Sequence, residues 1–127
     1  DFHCMIVPTD DAREMHYRSI FLQGLLLDDP AVAETRVPGS GRLAKAVGKA
    51  AAAIGVPAAA LLAAAILRES RLVDRIVLGA DSPEDLQPIA LALRARPEDV
   101  DEFLKQLASV PAPARTVLDP RKWGRAP

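Results

Sequence analysis

Residues 57–68 constrain this chain more than any other stretch. They read Pro-Ala-Ala-Ala-Leu-Leu-Ala-Ala-Ala-Ile-Leu-Arg, so a helix built on them has no polar face. Such a helix has to be covered on several sides, and its alanines let neighbouring elements approach closely. The nearly apolar run 54–67 is 14 residues long and contains Gly55 and Pro57. Crossing a bilayer takes about 20 apolar residues, so the cover is expected to be protein rather than lipid.

Boundary signals around this helix are strong. Residues 42–54 place Leu43, Ala46, Val47, Ala50 and Ile54 at helical spacing. Gly55 then stops that helix and Pro57 opens the next at its first position. After a short β-leaning run at 73–78, Asp81-Ser82-Pro83-Glu84-Asp85 is a helix start, with Ser82 as N-cap and Asp85 three residues on. This helix is expected to run to Arg96, distorted early by Pro88. Another opens at Pro97-Glu98-Asp99, with Val100, Phe103, Leu104 and Leu107 on one face. The tail after Ser109 is rich in proline.

The first part of the chain reads differently. Residues 2–7 and 17–22 are expected strands, and residues 28–41 carry turn punctuation and are expected to form a loop. About three strands with four or five helices indicate an α/β chain of one domain. The chain starts at Asp1, and a removed targeting peptide would leave no trace in it. With 16 basic and 17 acidic residues the net charge is −1, too balanced to draw the chain to nucleic acid or an anionic membrane. A single cysteine excludes an internal disulfide.

Residue chemistry offers few sites. His3, Cys4 and His16 lie near one another in sequence, but their spacing matches no zinc pattern, so no metal is expected. His16 and Tyr17 are adjacent on a strand and point to opposite faces, which prevents them from working as an acid–base pair. Ser82 either caps its helix or holds a phosphate. Arg18 is either a ligand contact or a solvated edge charge. Trp123 reads as a packing anchor for the tail. The acidic cluster Glu98, Asp99, Asp101 and Glu102 reads as helix first-turn charge.

Four segments, in order, resemble the C-terminal part of bacterial aldo/keto reductases. They are Arg18-Ser19-Ile20-Phe21-Leu22-Gln23-Gly24-Leu25-Leu26-Leu27, Gly55-Val56-Pro57-Ala58-Ala59-Ala60-Leu61, Ile76-Val77-Leu78-Gly79-Ala80-Asp81-Ser82-Pro83-Glu84-Asp85-Leu86 and Leu118-Asp119-Pro120-Arg121-Lys122-Trp123. The likeness covers residues 16–123, with 1–15 divergent, and corresponds to about the last third of that family's chain. It implies a (β/α) TIM-barrel-like fragment and an oxidoreductase ancestry with a nicotinamide cofactor, NADH or NADPH. Barrel sites of this kind lie at the C-terminal ends of the strands.

Carried over residue by residue, the resemblance puts Arg18 near the nicotinamide. It sets Ser19, Leu22, Gln23 and Gly24 along the pyrophosphate, and Gly79, Asp81, Ser82 and Asp85 around the adenosine, with Gln87 as a further polar candidate. Members preferring the phosphorylated cofactor carry Lys or Arg where Asp81 stands. The adenine-contacting Glu-Asn pair falls on Pro88 and Ile89. The family's catalytic Asp, Tyr, Lys and His have no counterparts among these residues, so no catalytic residue is assigned. The resemblance thus implies a cytoplasmic protein that is not a self-sufficient carbonyl reductase, or else a non-catalytic binding or assembly subunit built from a reductase remnant. Three strands cannot close a barrel, so a second copy or a protein partner is expected to cover the open sheet.

Overall fold

A computed structural model describes residues 16–69 and 74–124 of the chain. The expected strand at 2–7, together with His3 and Cys4, lies outside these residues. The described fold is mixed α/β and mostly helical. Its order is β1 (His16–Arg18), α1 (Pro30–Arg36), α2 (Gly41–Ile54), α3 (Ala58–Glu69), β2 (Arg75–Val77), α4 (Pro83–Ala90), a 3-10 segment (Leu91–Arg94), α5 (Pro97–Ala108), α6 (Arg115–Leu118) and a second 3-10 turn (Pro120–Lys122). The two strands pair in parallel, His16 with Arg75, Tyr17 with Ile76 and Arg18 with Val77. No single helix in this part is long and apolar enough to cross a membrane.

The apolar helix finds its cover within the chain. α3 packs against α2, α4, the first 3-10 segment and α5. Leu61 is fully buried with Phe103 of α5 and Val47, Ala50 and Ala51 of α2. One turn on, Ala63, Ala64 and Ala65 close over Ile20, Ala92 and Val100. Small side chains let these elements approach closely, as an all-round apolar surface requires. Gly55 adopts the left-handed conformation at φ 78° and donates to the Ala51 carbonyl, closing α2. α3 leaves at 95° to α2. It starts at Ala58, one residue beyond the expected Pro57.

Several sequence expectations need correction. The strand expected over 17–22 ends at Arg18, because Ser19 turns to φ 60°. Ile20, Leu22, Leu25 and Leu26 are buried as a succession of tight turns instead. An apolar run of that length has the same composition whether it is extended or coiled. The strand expected over 73–78 is described over Arg75–Val77. The loop expected at 28–41 contains α1. Asp29 caps it by accepting from the Ala31 amide at 2.9 Å, and Pro30 occupies its start. The helix expected to reach Arg96 ends at Ala90 and tightens into the 3-10 segment after Pro88, which has no amide hydrogen to donate. The proline-rich tail folds back as α6, and Val117 of α6 is buried in the same cluster as Leu22, Leu25 and Ala33.

α1 and α2 meet at a dense corner. The Glu34 carboxylate accepts from the Gly39 and Gly41 amides, both at 2.8 Å, and these donors hold its carboxyl below the usual glutamate range. Ser40 is buried and donates its hydroxyl to the Ala33 carbonyl at 2.7 Å. A Cβ on Gly41 would stand 2.8 Å from the Pro30 carbonyl oxygen, whereas one on Gly48, in the same helix, would meet nothing within 4 Å. Gly41→Ala is therefore expected to lower the unfolding midpoint. Gly48→Ala should raise stability by about 0.5–1 kcal/mol. Denaturant titration of both variants measures the contrast.

Candidate functional site

The parallel register sets the two segments singled out by sequence at one end of the strand pair. Arg18 pairs with Val77, so Ser19 and Leu78 are the next residues beyond the same edge. The chain leaves β1 into 19–24 and leaves β2 into 78–82. In parallel sheets, ligands bind outside the carboxyl ends of the strands, which is where both segments begin.

The first segment is strained. Ser19, Leu22 and Gln23 have φ of 60°, 47° and 54°, and Gly24 follows at 83°. Left-handed backbone costs an L-residue about 1–2 kcal/mol, and such strain gathers at ligand sites and switches. Burial of Leu22 beside Leu25 and Leu26 holds the turn from inside. From outside, Arg36 donates to the Gln23 carbonyl at 3.1 Å, pairs with Asp28 and lies over the Trp123 ring at 6.0 Å. Trp123 in turn donates its indole N–H to the Val117 carbonyl at 3.1 Å, so the tail is anchored as its sequence suggests. Nothing in the sequence marked Arg36; only the fold brings it to the loop.

The second segment is organised by Asp85. Its carboxylate accepts from the Ser82 amide and the Ser82 hydroxyl, both at 3.0 Å, and from the Asp81 amide at 3.2 Å. Two amides just ahead of α4, those of Asp81 and Ser82, are thus engaged by the chain's own carboxylate. Of the two readings of Ser82, the helix cap is the one formed here. The Asp81 carboxylate itself enters no hydrogen bond or ion pair among the described residues, and Asp81 is exposed.

The structure brings some candidates together and sets others aside. Arg18, Ser19, Gln23, Gly79, Asp81 and Asp85 are exposed, while Gly24 and Ser82 are half-buried. Leu22 is in the core, so only its main chain can face a ligand. Gln87 is exposed further along α4. His16 is exposed and Tyr17 half-buried on β1, in the alternation of a strand. Among the described residues no three metal-ligating side chains cluster. Two acidic residues of α5 are engaged structurally: Asp99 with Arg96, which holds its carboxyl below the usual aspartate range, and Asp101 with Arg68.

A dinucleotide site on this edge has to match its donor chemistry. The exposed Asp81 carboxylate suits ribose hydroxyls, which can donate to it, and opposes a 2′-phosphate, which cannot. At Asp81, a bound unphosphorylated dinucleotide would meet no charge conflict and a 2′-phosphorylated one would. Concavity lies elsewhere. A cavity of about 370 Å³ borders Glu34, Arg42 and Pro111, and another of about 280 Å³ borders Leu67, Leu93 and Val100. Neither is lined by the two loops.

Arg36→Ala removes the outer clamp and leaves the buried leucines in place. Amide hydrogen exchange over 21–27 is expected to accelerate several-fold, with a change in Trp123 fluorescence and an unchanged helical signal.

The chain matches no protein-family model, no curated protein and no solved structure.

Proposed function

We propose that this chain is a relative of the nicotinamide-linked aldo/keto reductases that carries the cofactor-side loops of their (β/α) barrel and does not reduce carbonyls unaided. The observation that supports this best is the parallel pairing of β1 with β2, which starts both candidate loops from one edge. In a barrel of that kind this edge faces the ligand. The cofactor, when bound, supplies a hydride; carbonyl reduction also needs a proton donor. The single tyrosine, Tyr17, sits within β1 and matches no catalytic position of the family. The chain's own part is to bind and orient. Arg18 and Ser19 stand at the strand end, the 19–24 turn meets the pyrophosphate, and Asp81 accepts from the ribose hydroxyls.

A second reading is favoured by the openness of that edge. Ligand sites for small molecules are concave, and these loops border neither of the two cavities described. A non-catalytic binding or assembly subunit derived from a reductase needs no such cleft. On the first reading another protein surface completes the wall.

Calorimetric titration separates the two. The first reading predicts saturable NADH binding, NADPH binding weaker by about tenfold or more, and an inversion of that order in Asp81→Arg. Carbonyl reduction by the chain alone should be absent. No binding of either nucleotide up to millimolar concentration rejects the cofactor reading and leaves the assembly subunit. Turnover by the chain alone rejects the absence of a working proton donor.

A further inference from the structure

The cavity of about 370 Å³ is within the size range of small-molecule sites, about 300–1,000 Å³. Glu34 of α1 borders it, with Gly39, Arg42 and Leu43 at the α1–α2 corner and residues 110–114 between α5 and α6. Its two charged side chains are of opposite sign and do not neutralise each other. The Gly39 and Gly41 amides, both at 2.8 Å, fix the Glu34 carboxylate in place. Each amide bonds a different carboxylate oxygen, so each oxygen keeps a further lone pair. The same donors hold the carboxyl below the usual glutamate range, so it is ionised at neutral pH. Arg42 is exposed and enters no hydrogen bond or ion pair among the described residues.

The chain between α5 and α6 adds acceptors. Pro111 and Pro113 have no amide hydrogen, and the carbonyls of 110–113 accept no hydrogen bond among the described residues. Leu43 and Val110, both half-buried, make part of the border apolar together with Pro111. An ion of one sign would be drawn to one of the two charged groups and repelled by the other. A neutral apolar molecule would leave both without a partner. A small molecule carrying an ammonium and a carboxylate satisfies both. The planar guanidinium fork matches a carboxylate, and an ammonium donates three hydrogen bonds to carboxylate or carbonyl oxygens.

We infer that this cavity binds a free α-amino acid with a small aliphatic side chain, its carboxylate on Arg42, its ammonium on Glu34 and its side chain against Leu43, Val110 and Pro111. The inference does not depend on nucleotide binding, because the cavity is not lined by the loops after β1 and β2. Both charged groups face water, so each pair contributes little and affinity is expected in the millimolar range.

Titration of the full chain with L-valine, followed by amide chemical shifts, tests it. Saturable shifts are expected at 39–43 and 110–114, with a Kd of about 1–10 mM. Isobutylamine and isovalerate are valine without its carboxylate and without its ammonium, and each should bind about tenfold or more weakly. Arg42→Ala should weaken valine binding about tenfold and leave the unfolding midpoint unchanged. The absence of saturable shifts at these residues up to about 100 mM valine overturns the inference. So does an Arg42→Ala chain that binds valine like the parent, or either singly charged analogue binding as tightly as valine.

Discussion

The fold depends on the need to cover α3 from all sides. A helix with no polar face is tolerable in water only if its neighbours surround it, and four elements do so here. α5 contributes Phe103, α2 contributes Val47 and Ala50, and the 3-10 segment contributes Ala92. These contacts are numerous and short because alanine keeps the interhelical spacing small. The sheet is secondary to this packing. Two strands of three residues each form too little ladder to stand alone. Ile20 beyond β1 and Ile76 in β2 join the cluster around Ala63–Ala65, so the helix that demands cover also fixes the strand pair.

Polar contacts then set what the strand ends can present. At the α1–α2 corner, Glu34 engages the Gly39 and Gly41 amides at the helix junction, and Ser40 adds a second donor to the Ala33 carbonyl, which also accepts from the Val37 amide. Arg36, on the same short helix, reaches in the other direction to the left-handed turn and to Trp123. α1 therefore ties the core corner to the loop after β1. At the loop after β2 an internal carboxylate plays the corresponding part, and its choice of partners decides the chemistry left outside. The Asp81 and Ser82 amides bond to Asp85, and an exposed acid, Asp81, is left without a hydrogen bond or ion pair among the described residues.

Much of the helical frame was legible in the sequence. Gly55, the Ser82-Pro83 start, the Pro97 start and the spacing of Val47, Ala50, Val100 and Phe103 all state local preferences that packing agrees with. Misreadings arose where one residue pattern serves two structures. Asp29-Pro30 marks a turn and equally a helix N-cap followed by its first residue, and here it does the second. The leucine run after Arg18 is apolar enough for a strand, but left-handed Ser19, Leu22 and Gln23 carry no sequence signal, since the turn is held by the burial of Leu22 and by the bond from Arg36 to the Gln23 carbonyl. The candidate site divides in the same way. Its candidate residues are read from sequence, yet the capture of the Asp81 and Ser82 amides by Asp85 and the pinning of Gln23 by Arg36 are spatial relations.

The account stands on the direction of the strand pair, because only parallel pairing starts both loops from one edge. Nuclear Overhauser contacts between the strands measure that direction directly. Contacts from His16 to Arg75, Tyr17 to Ile76 and Arg18 to Val77 are the expected pattern. Contacts joining His16 to Val77 and Arg18 to Arg75 would mean antiparallel strands, with the loops at opposite ends and no shared edge to bind a ligand.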